Sequence, residues 1–510
     1  MAICVGIDIG TSGTKAVAID ARGKILAQAI HTYPCYHPRP LWSEQDPEDW
    51  WQGTVATVRA VMQQARIRPA NVQALGLSGQ MHGSVFLDTR GRVIRRAILW
   101  NDQRTAAECT EIEQRAGGRQ KLIRMVANPA LTGFTAPKIL WLRNHEPRHY
   151  DRIAKVLLPK DEVRRRLTGV YATDVSDASG MLLLNVAKRG WSRELLAKLE
   201  LNRDWLADCY ESEEVTGNLT REAAETLGLT TNCRVVAGAG DCAANAVGTG
   251  IVRRGSLSTS VGTSGVMFVH SDEPQIDPHG RLHTFCHAVR DKWHMMGVSL
   301  TAAGCLEWFV QQLCAELAAA HPTMDPYEVL SREAAEIPPG AEGLLFLPYL
   351  AGERTPHADP LARGCFIGLT LKHTRGHLTR AIMEGVCFAL QDSLSLIRGL
   401  DVPVRQIRTS GGGSRSPLWR QIQANVFGQK VVTIQSEQGP AFGAALLAAV
   451  GAGWFRSVPE ACDATIRVVE ETATQRAAKA YYQRAFPVYQ QLYQSLRHDF
   501  SKIAGLESTR

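Results

Sequence analysis

Long hydrophobic runs are missing from this chain. The most apolar stretch, Ala441 to Phe455, consists largely of Ala and Gly, which suits a packed internal helix better than a lipid-facing span. No basic leader precedes the opening MAICVGIDIG, so the expectation is a cytoplasmic protein with no membrane partner. Paired cysteines are missing too. None of the 12 Cys forms a C-x-x-C, and no two lie closer than Cys233 and Cys242. They read as reduced thiols, neither a disulfide frame nor a zinc site. His283 and His287 are spaced like helix-borne metal ligands, but HTFCH is β-prone and lacks a companion carboxylate, so no metal is placed there. An excess of one charge is also absent: 57 Lys and Arg against 50 Asp and Glu leave +7 over 510 residues. The densest basic run, Arg164-Arg165-Arg166, reads as a solvated helix face, and no nucleic-acid partner is expected. Apolar residues at 45% and charged residues at 21% are globular values, which excludes disorder.

What is present is a duplication. GTSGTKAV at 10–17 returns as GTSGVMFV at 262–269, close to half the chain further on. Around the first copy, ICVGIDI, KAVAID and KILAQAI predict an antiparallel meander of strands joined by turns. Asp46-Pro47 then predicts a helix start, with Asp as N-cap and Pro at the first helical position. Its apolar face is read as Trp51, Val55, Val58, Met62 and Ala65, and ALGLSG at 74–79 as a buried strand. Around the second copy, SLSTSVGTSGVMFV repeats strand, turn and strand. Helical patterns follow over about 300–317 and 373–399. Then come strand QIRTS, glycines 411–413, a helix from Ser416, strand KVVTIQ, a Gly/Ala-rich helix over 440–450 and a long amphipathic helix over about 472–503. The expected division is 1–245 and 246–510.

Four segments carry chemistry. Asp8-Ile9-Gly10-Thr11-Ser12-Gly13-Thr14-Lys15 is a hairpin whose glycines let backbone N–H groups approach an anion, with Lys15 adding charge. Asp8 could hold Mg²⁺ through water. The Walker A pattern is absent, and a lone Gly-Thr-Ser-Gly turn is usually a plain hairpin. Its second copy, with Thr263, turns the pair into a candidate phosphate clamp. Strand RVVAGAG delivers Asp241 at its end, where a carboxylate either caps a helix or takes a proton from an alcohol. Gly411-Gly412-Gly413 follows a strand and lets a base or ribose approach the backbone.

These segments, with GQMHG at 79–83, ILWNDQR at 98–104, LLPKDEVRRRLTG at 157–169, LPYLAGERTPH at 347–357 and GPAFGAA at 439–445, resemble the FGGY carbohydrate kinases, and within them the xylulokinases. The resemblance implies an α/β fold of two duplicated actin-like ATPase (ribonuclease H-like) domains, each with a five-stranded mixed sheet, and a cleft for sugar and ATP. It implies phosphate contacts at Thr11, Ser12, Lys15 and Thr263, nucleotide contacts at Trp308, Gly412, Gly413 and Ser416, and sugar contacts at Met81, His82, Asp241 and Cys242. Asp241 would be the general base and Asp8 a catalytic, Mg²⁺-binding group. The implied reaction is ATP-dependent phosphorylation of D-xylulose, with a homodimer as a family-level expectation. The relatives usually carry Asn where this chain has Cys242, a weak hydrogen-bonding group, so D-ribulose, L-xylulose or another polyol stays open as substrate. A sugar sensor that binds both ligands without turnover is the reading of a different class; Asp8, Lys15 and Asp241 argue against it.

Overall fold

The computed structural model describes residues 1–317, 323–435 and 438–507. Strands Ile3–Ile9, Gly13–Asp20 and Ile25–Thr32 form the expected meander, and Val72–Gly79 adds parallel to the first of them. Arg234–Val236 and Ala239–Gly240 both pair parallel with Val72–Gly79. They are one strand interrupted at Gly238, whose φ of +76° suits glycine and whose Cβ would meet Leu77 O at 2.1 Å. Val215–Asn218 closes that edge. The second sheet repeats the plan, with Trp293–Ser299, Gly265–Ser271, Gly255–Val261, Val404–Ser410 and Val431–Ile434 in spatial order. It gains an edge strand on each side, His283–Cys286 and Val468–Thr472. The five-stranded expectation thus describes each sheet's centre, and the edge strands are additions to it.

The helix after Asp46 runs Pro47–Gln64, and the Asp46 carboxylate accepts from Glu48 N as a cap should. Its buried face keeps Val58 and Met62 of the expected one and is otherwise shifted. Trp50, Thr54, Thr57, Val58 and Val61 point inward, while Trp51, Val55 and Ala65 lie half-buried at the border. The threonines can be buried because their hydroxyls bond carbonyls of their own helix, Thr54 Oγ1 to Trp50 O at 2.8 Å and Thr57 Oγ1 to Gly53 O at 2.8 Å. Apolar periodicity alone misplaces a face whose small polar residues satisfy themselves.

The Gly/Ala-rich helix, Gly439–Gly451, belongs to the second half by sequence but lies on the first sheet. Glycines make that possible. A Cβ at Gly6 would lie 1.9 Å from Ala441 O, and one at Gly76 would lie 2.0 Å from Ala444 O. The same helix crosses helix Asp241–Thr249, where a Cβ on Gly443 would reach 1.8 Å from Ala244 O. Helix Val458–Thr465 joins this cluster through Val458 and Cys462. Among the described residues, no helix is long and apolar enough to cross a membrane.

Candidate active site

Asp8 ends the first strand and stands opposite Lys15 in the hairpin register. Burial and the nearby charge of Asp241 push its pKa up to about 7, and its Oδ1 is enclosed without a hydrogen-bond partner. Lys15 has its pKa lowered by burial, against the opposing pull of Asp8. Its Nζ donates to Gln438 Oε1 at 2.7 Å, so it reaches the second half. The Thr11 hydroxyl is tied into the hairpin: it accepts from Trp100 Nε1 at 2.9 Å and donates to Gln80 Oε1 at 3.3 Å. Gln45 Nε2 holds Thr11 O at 2.6 Å, and Gln80 Nε2 reaches Gln45 Oε1 at 2.7 Å. Ser12 is exposed at the tip of the turn.

Asp241 is the first residue of its helix, with Gly240 as N-cap, so capping is not its role. Its Oδ1 accepts from Cys242 N at 2.7 Å. Burial raises its pKa to about 6, with Cys242 opposing the shift. Burial also pushes the Cys242 thiol well up, and the Asp241 charge adds to this, so the thiol is neutral.

His82 has a left-handed backbone, φ +68°, and three groups hold it there. Thr135 Oγ1 and Lys138 Nζ donate to its carbonyl at 3.0 and 2.8 Å, and its Nδ1 lies 2.8 Å from Gly180 O. A carbonyl only accepts, so Nδ1 carries the proton. Burial holds the ring neutral, well below the usual histidine pKa. Nε2 is therefore a hydrogen-bond acceptor. Met81 is buried beside it, against Gly180 and Gly240, where a Cβ would meet its side chain at 3.1 and 2.9 Å.

One segment joins His82 to Asp241. Fully buried Lys160 binds Asp161 Oδ1 at 2.6 Å, Asp174 Oδ1 at 2.9 Å and Asp177 Oδ2 at 3.4 Å. Asp174 Oδ2 takes Ser176 N at 2.7 Å, and Ser176 Oγ takes Gly240 N at 3.1 Å. Gly180 on the same segment holds His82. The distance between the histidine acceptor and the aspartate is thus set by one stretch of chain anchored on a buried ammonium.

On the second half, Gly262 and Thr263 meet the start of helix Ala303–Leu313, with Ala302 N and Gly304 N donating to Thr263 O at 2.8 and 3.2 Å. A cavity of about 690 Å³ opens there, lined by Thr263, Gly304, Leu306, Gly412, Ser416 and Trp419 among others. Gly412 leaves open space where a Cβ would stand, with Val261 O at 3.9 Å, whereas Gly413 is packed on Val261 at 2.6 Å. Ser416 caps helix Pro417–Phe427 and lies 2.8 Å from Ser331 Oγ. Trp308 is half-buried against the second core, outside that lining. The structure thus gathers Thr263, Gly412 and Ser416 round one cavity. Asp8, Lys15, Met81, His82, Asp241 and Cys242 are linked by the contacts and charges described above.

Residues 3–248 match the N-terminal domain of the FGGY family of carbohydrate kinases, and residues 257–452 match its C-terminal domain. This chain belongs to that family. The kinase is 42% identical to the xylulose kinase of Escherichia coli (strain K12) over 493 residues, 96% of this chain and 99% of that protein. It is 38% identical to the xylulose kinase of Bacillus subtilis (strain 168), covering 97% of each. A solved structure described as a xyloylose kinase from Brucella ovis superposes with a TM-score of 0.89 at 36% identity, covering 97% of this kinase and 99% of that chain. The fold is the duplicated actin-like ATPase fold of the FGGY kinases.

Several residues of this site carried no role in the sequence reading. Gln80, Trp100 and Lys160 lie in motifs quoted for their likeness alone, and Gln45 directly precedes the helix-starting Asp46. Lys138 had a usable signal: a lone cation inside the apolar run APKILWL is a candidate for burial against carbonyls.

Proposed function

We propose that this kinase transfers the γ-phosphoryl group of ATP to the terminal hydroxyl of D-xylulose, giving D-xylulose 5-phosphate and ADP. The reading takes 1–245 and 246–510 as the two halves. The observation that supports it most is a buried carboxylate of raised pKa, Asp241, and the neutral acceptor His82, both held by one segment through Ser176 on Gly240 and Gly180 on His82. His82 Nε2 accepts a hydrogen bond from a sugar hydroxyl and Met81 offers apolar contact. Asp241 takes the proton of the attacking hydroxyl as that oxygen bonds to the γ-phosphorus, the bond to the bridging oxygen breaks, and ADP leaves. A base with a pKa near 6 is mostly ionised at neutral pH and still basic enough to accept a proton. In this reading Lys15, the amides of the Thr11-Ser12 turn and the turn at Thr263 stabilise charge on the phosphoryl oxygens. The cavity at Gly412 and Ser416 suits the nucleoside. The enclosed, unpartnered Oδ1 of Asp8 fits a hydrated Mg²⁺, which when bound would neutralise phosphate charge.

The test is ADP release over a panel of ketoses. Asp241→Asn is expected to lower turnover by about 10³-fold or more with sugar binding retained. Turnover within a few-fold of wild type would remove Asp241 as base. Cys242 favours a second reading: a thiol replaces the amide usual in the relatives, so D-ribulose or L-xylulose outpacing D-xylulose in the panel would reassign the substrate and leave the chemistry intact.

A further inference from the structure

Outside the cleft, a cavity of about 600 Å³ lies between helix Arg119–Val126, the hairpin of strands Leu184–Asn185 and Gly190–Trp191, and the chain that follows it. It shares no lining residue with the cavity at Gly412. Four cations line it: Lys121, Arg124, Lys188 and Arg193. Among the described residues, none of the four is held in an ion pair or a side-chain hydrogen bond. Five arginines around them are paired: Arg115 with Glu200 at 2.9 Å, Arg119 with Glu113 at 3.1 Å, Arg143 with Glu111 at 2.8 Å, Arg189 with Glu211 at 2.7 Å and Arg203 with Asp208 at 3.1 Å. Glu200, Glu113, Glu111, Glu211 and Asp208 are thus spent on these arginines, Glu194 alone remains in the lining, and the excess positive charge converges on one concave site. With Glu194 the one carboxylate in the lining against these four cations, the remaining excess of positive charge raises the local potential and draws an anion.

The rest of the lining narrows the anion. Trp191 gives a half-buried ring whose Nε1 is already bonded to Ala207 O at 2.9 Å and over which the Arg203 guanidinium lies 5.9 Å from the centroid, so what it offers a ligand is the rest of its apolar ring surface and not its polar edge. Asn185, Ser192 and Glu194 supply amide, hydroxyl and carboxylate groups among the cations. A carboxylate beside the cations accepts from hydroxyls and opposes a long polyanion. Cations for a phosphate, an aromatic face and hydroxyl acceptors together describe a sugar phosphate. We propose that this cavity is a second ligand site of the kinase, separate from the cleft, and that it takes a small phosphorylated sugar.

Calorimetric titration of the full chain with D-ribose 5-phosphate, inorganic phosphate and D-ribose in turn tests this. D-ribose 5-phosphate is expected to bind more tightly than either of the others. The double variant Lys188→Glu/Arg193→Glu should weaken it by about tenfold or more while keeping wild-type turnover. Lys121→Ala/Arg124→Ala, on the opposite wall, should weaken it in the same sense, which covers the case of a misfolded first variant. Absence of binding to wild type overturns the proposal. So does undiminished binding by both double variants, since the ligand would then sit in the cleft. Inorganic phosphate or D-ribose binding as tightly as the sugar phosphate also overturns it.

Discussion

The two copies of Gly-Thr-Ser-Gly share four residues and little else. In the first, Ile9 pairs with Thr14 and Asp8 with Lys15, so the turn spans Gly10 to Gly13. In the second, Val261 pairs with Gly265 and Ser260 with Val266, so the turn spans Gly262 to Ser264 and is tighter. The first is braced by side chains, Trp100, Gln80 and Gln45 on Thr11; the second by backbone, the amides of Ala302 and Gly304 on Thr263. The first carries a carboxylate and an ammonium; the matching positions in the repeat are Ser260 and Met267. The duplicated turn has thus kept its four residues in both halves, with a different register in each, and its charges in one. Identical tetrapeptides fix a hairpin's existence but not its register, because the flanking strands decide which residues pair.

Copying the second turn into the first should have the largest effect. Lys15→Met and Asp8→Ser are each expected to lower kcat/KM by about 10²–10³-fold. If Lys15→Met stays within a few-fold of wild type in ADP release, the charge asymmetry is not functional. Gly6→Ser copies Ser258 and sets a side chain against Ala441 O; a loss of about 1–3 kcal/mol in urea unfolding is expected. A variant that unfolds with wild type would mean the helix is not seated on the first sheet as described. The pH dependence belongs to the first half as well. With Asp241 near 6 and Asp8 near 7, activity should rise through that interval and level off above it. For stability the sign is opposite. A carboxyl whose folded pKa is raised binds its proton more tightly when folded, so it costs stability as pH climbs from about 4 to about 7. Asp8→Asn should therefore melt higher than wild type at pH 8 while being less active, and an equal or lower melting temperature would refute the sign. The smallest change is expected from Cys242→Asn, a shift of a few-fold in the sugar KM with the ATP KM unmoved.

The duplication, the strand order of the first meander and the Gly/Ala helix were all legible in the sequence, because each rests on a local pattern: a repeated turn, alternating apolar runs, an Asp-Pro helix start. The inward face of helix Pro47–Gln64 was not, because Thr54 and Thr57 satisfy their hydroxyls within the helix and pass for surface. The candidate residues on the two turns, GQMHG and Asp241 came from motifs. Their supports did not, because Lys138, Asp174, Ser176 and Gly180 reach His82 and Gly240 only through contacts across distant sequence. The tautomer of His82 could not be read from residue types at all; it follows from the carbonyl of Gly180.

Because Gly439–Gly451 and Val458–Thr465 sit against the first sheet, the chain passes from one body to the other three times: after Thr249, between Ile434 and Gly439, and between Thr465 and Val468. Described residues beside the passages touch one another. Gln435 N donates to Arg467 O at 3.1 Å and its side chain to Thr465 O at 2.7 Å, while Arg253 pairs with Asp463. One tether would leave two bodies free to swing and twist. Three neighbouring tethers would act like the knuckles of a door hinge, restraining twist and translation and favouring a single rotation. The two turns would then follow the same arc each time they approach, so their alignment would be set by the linkage before any ligand arrives.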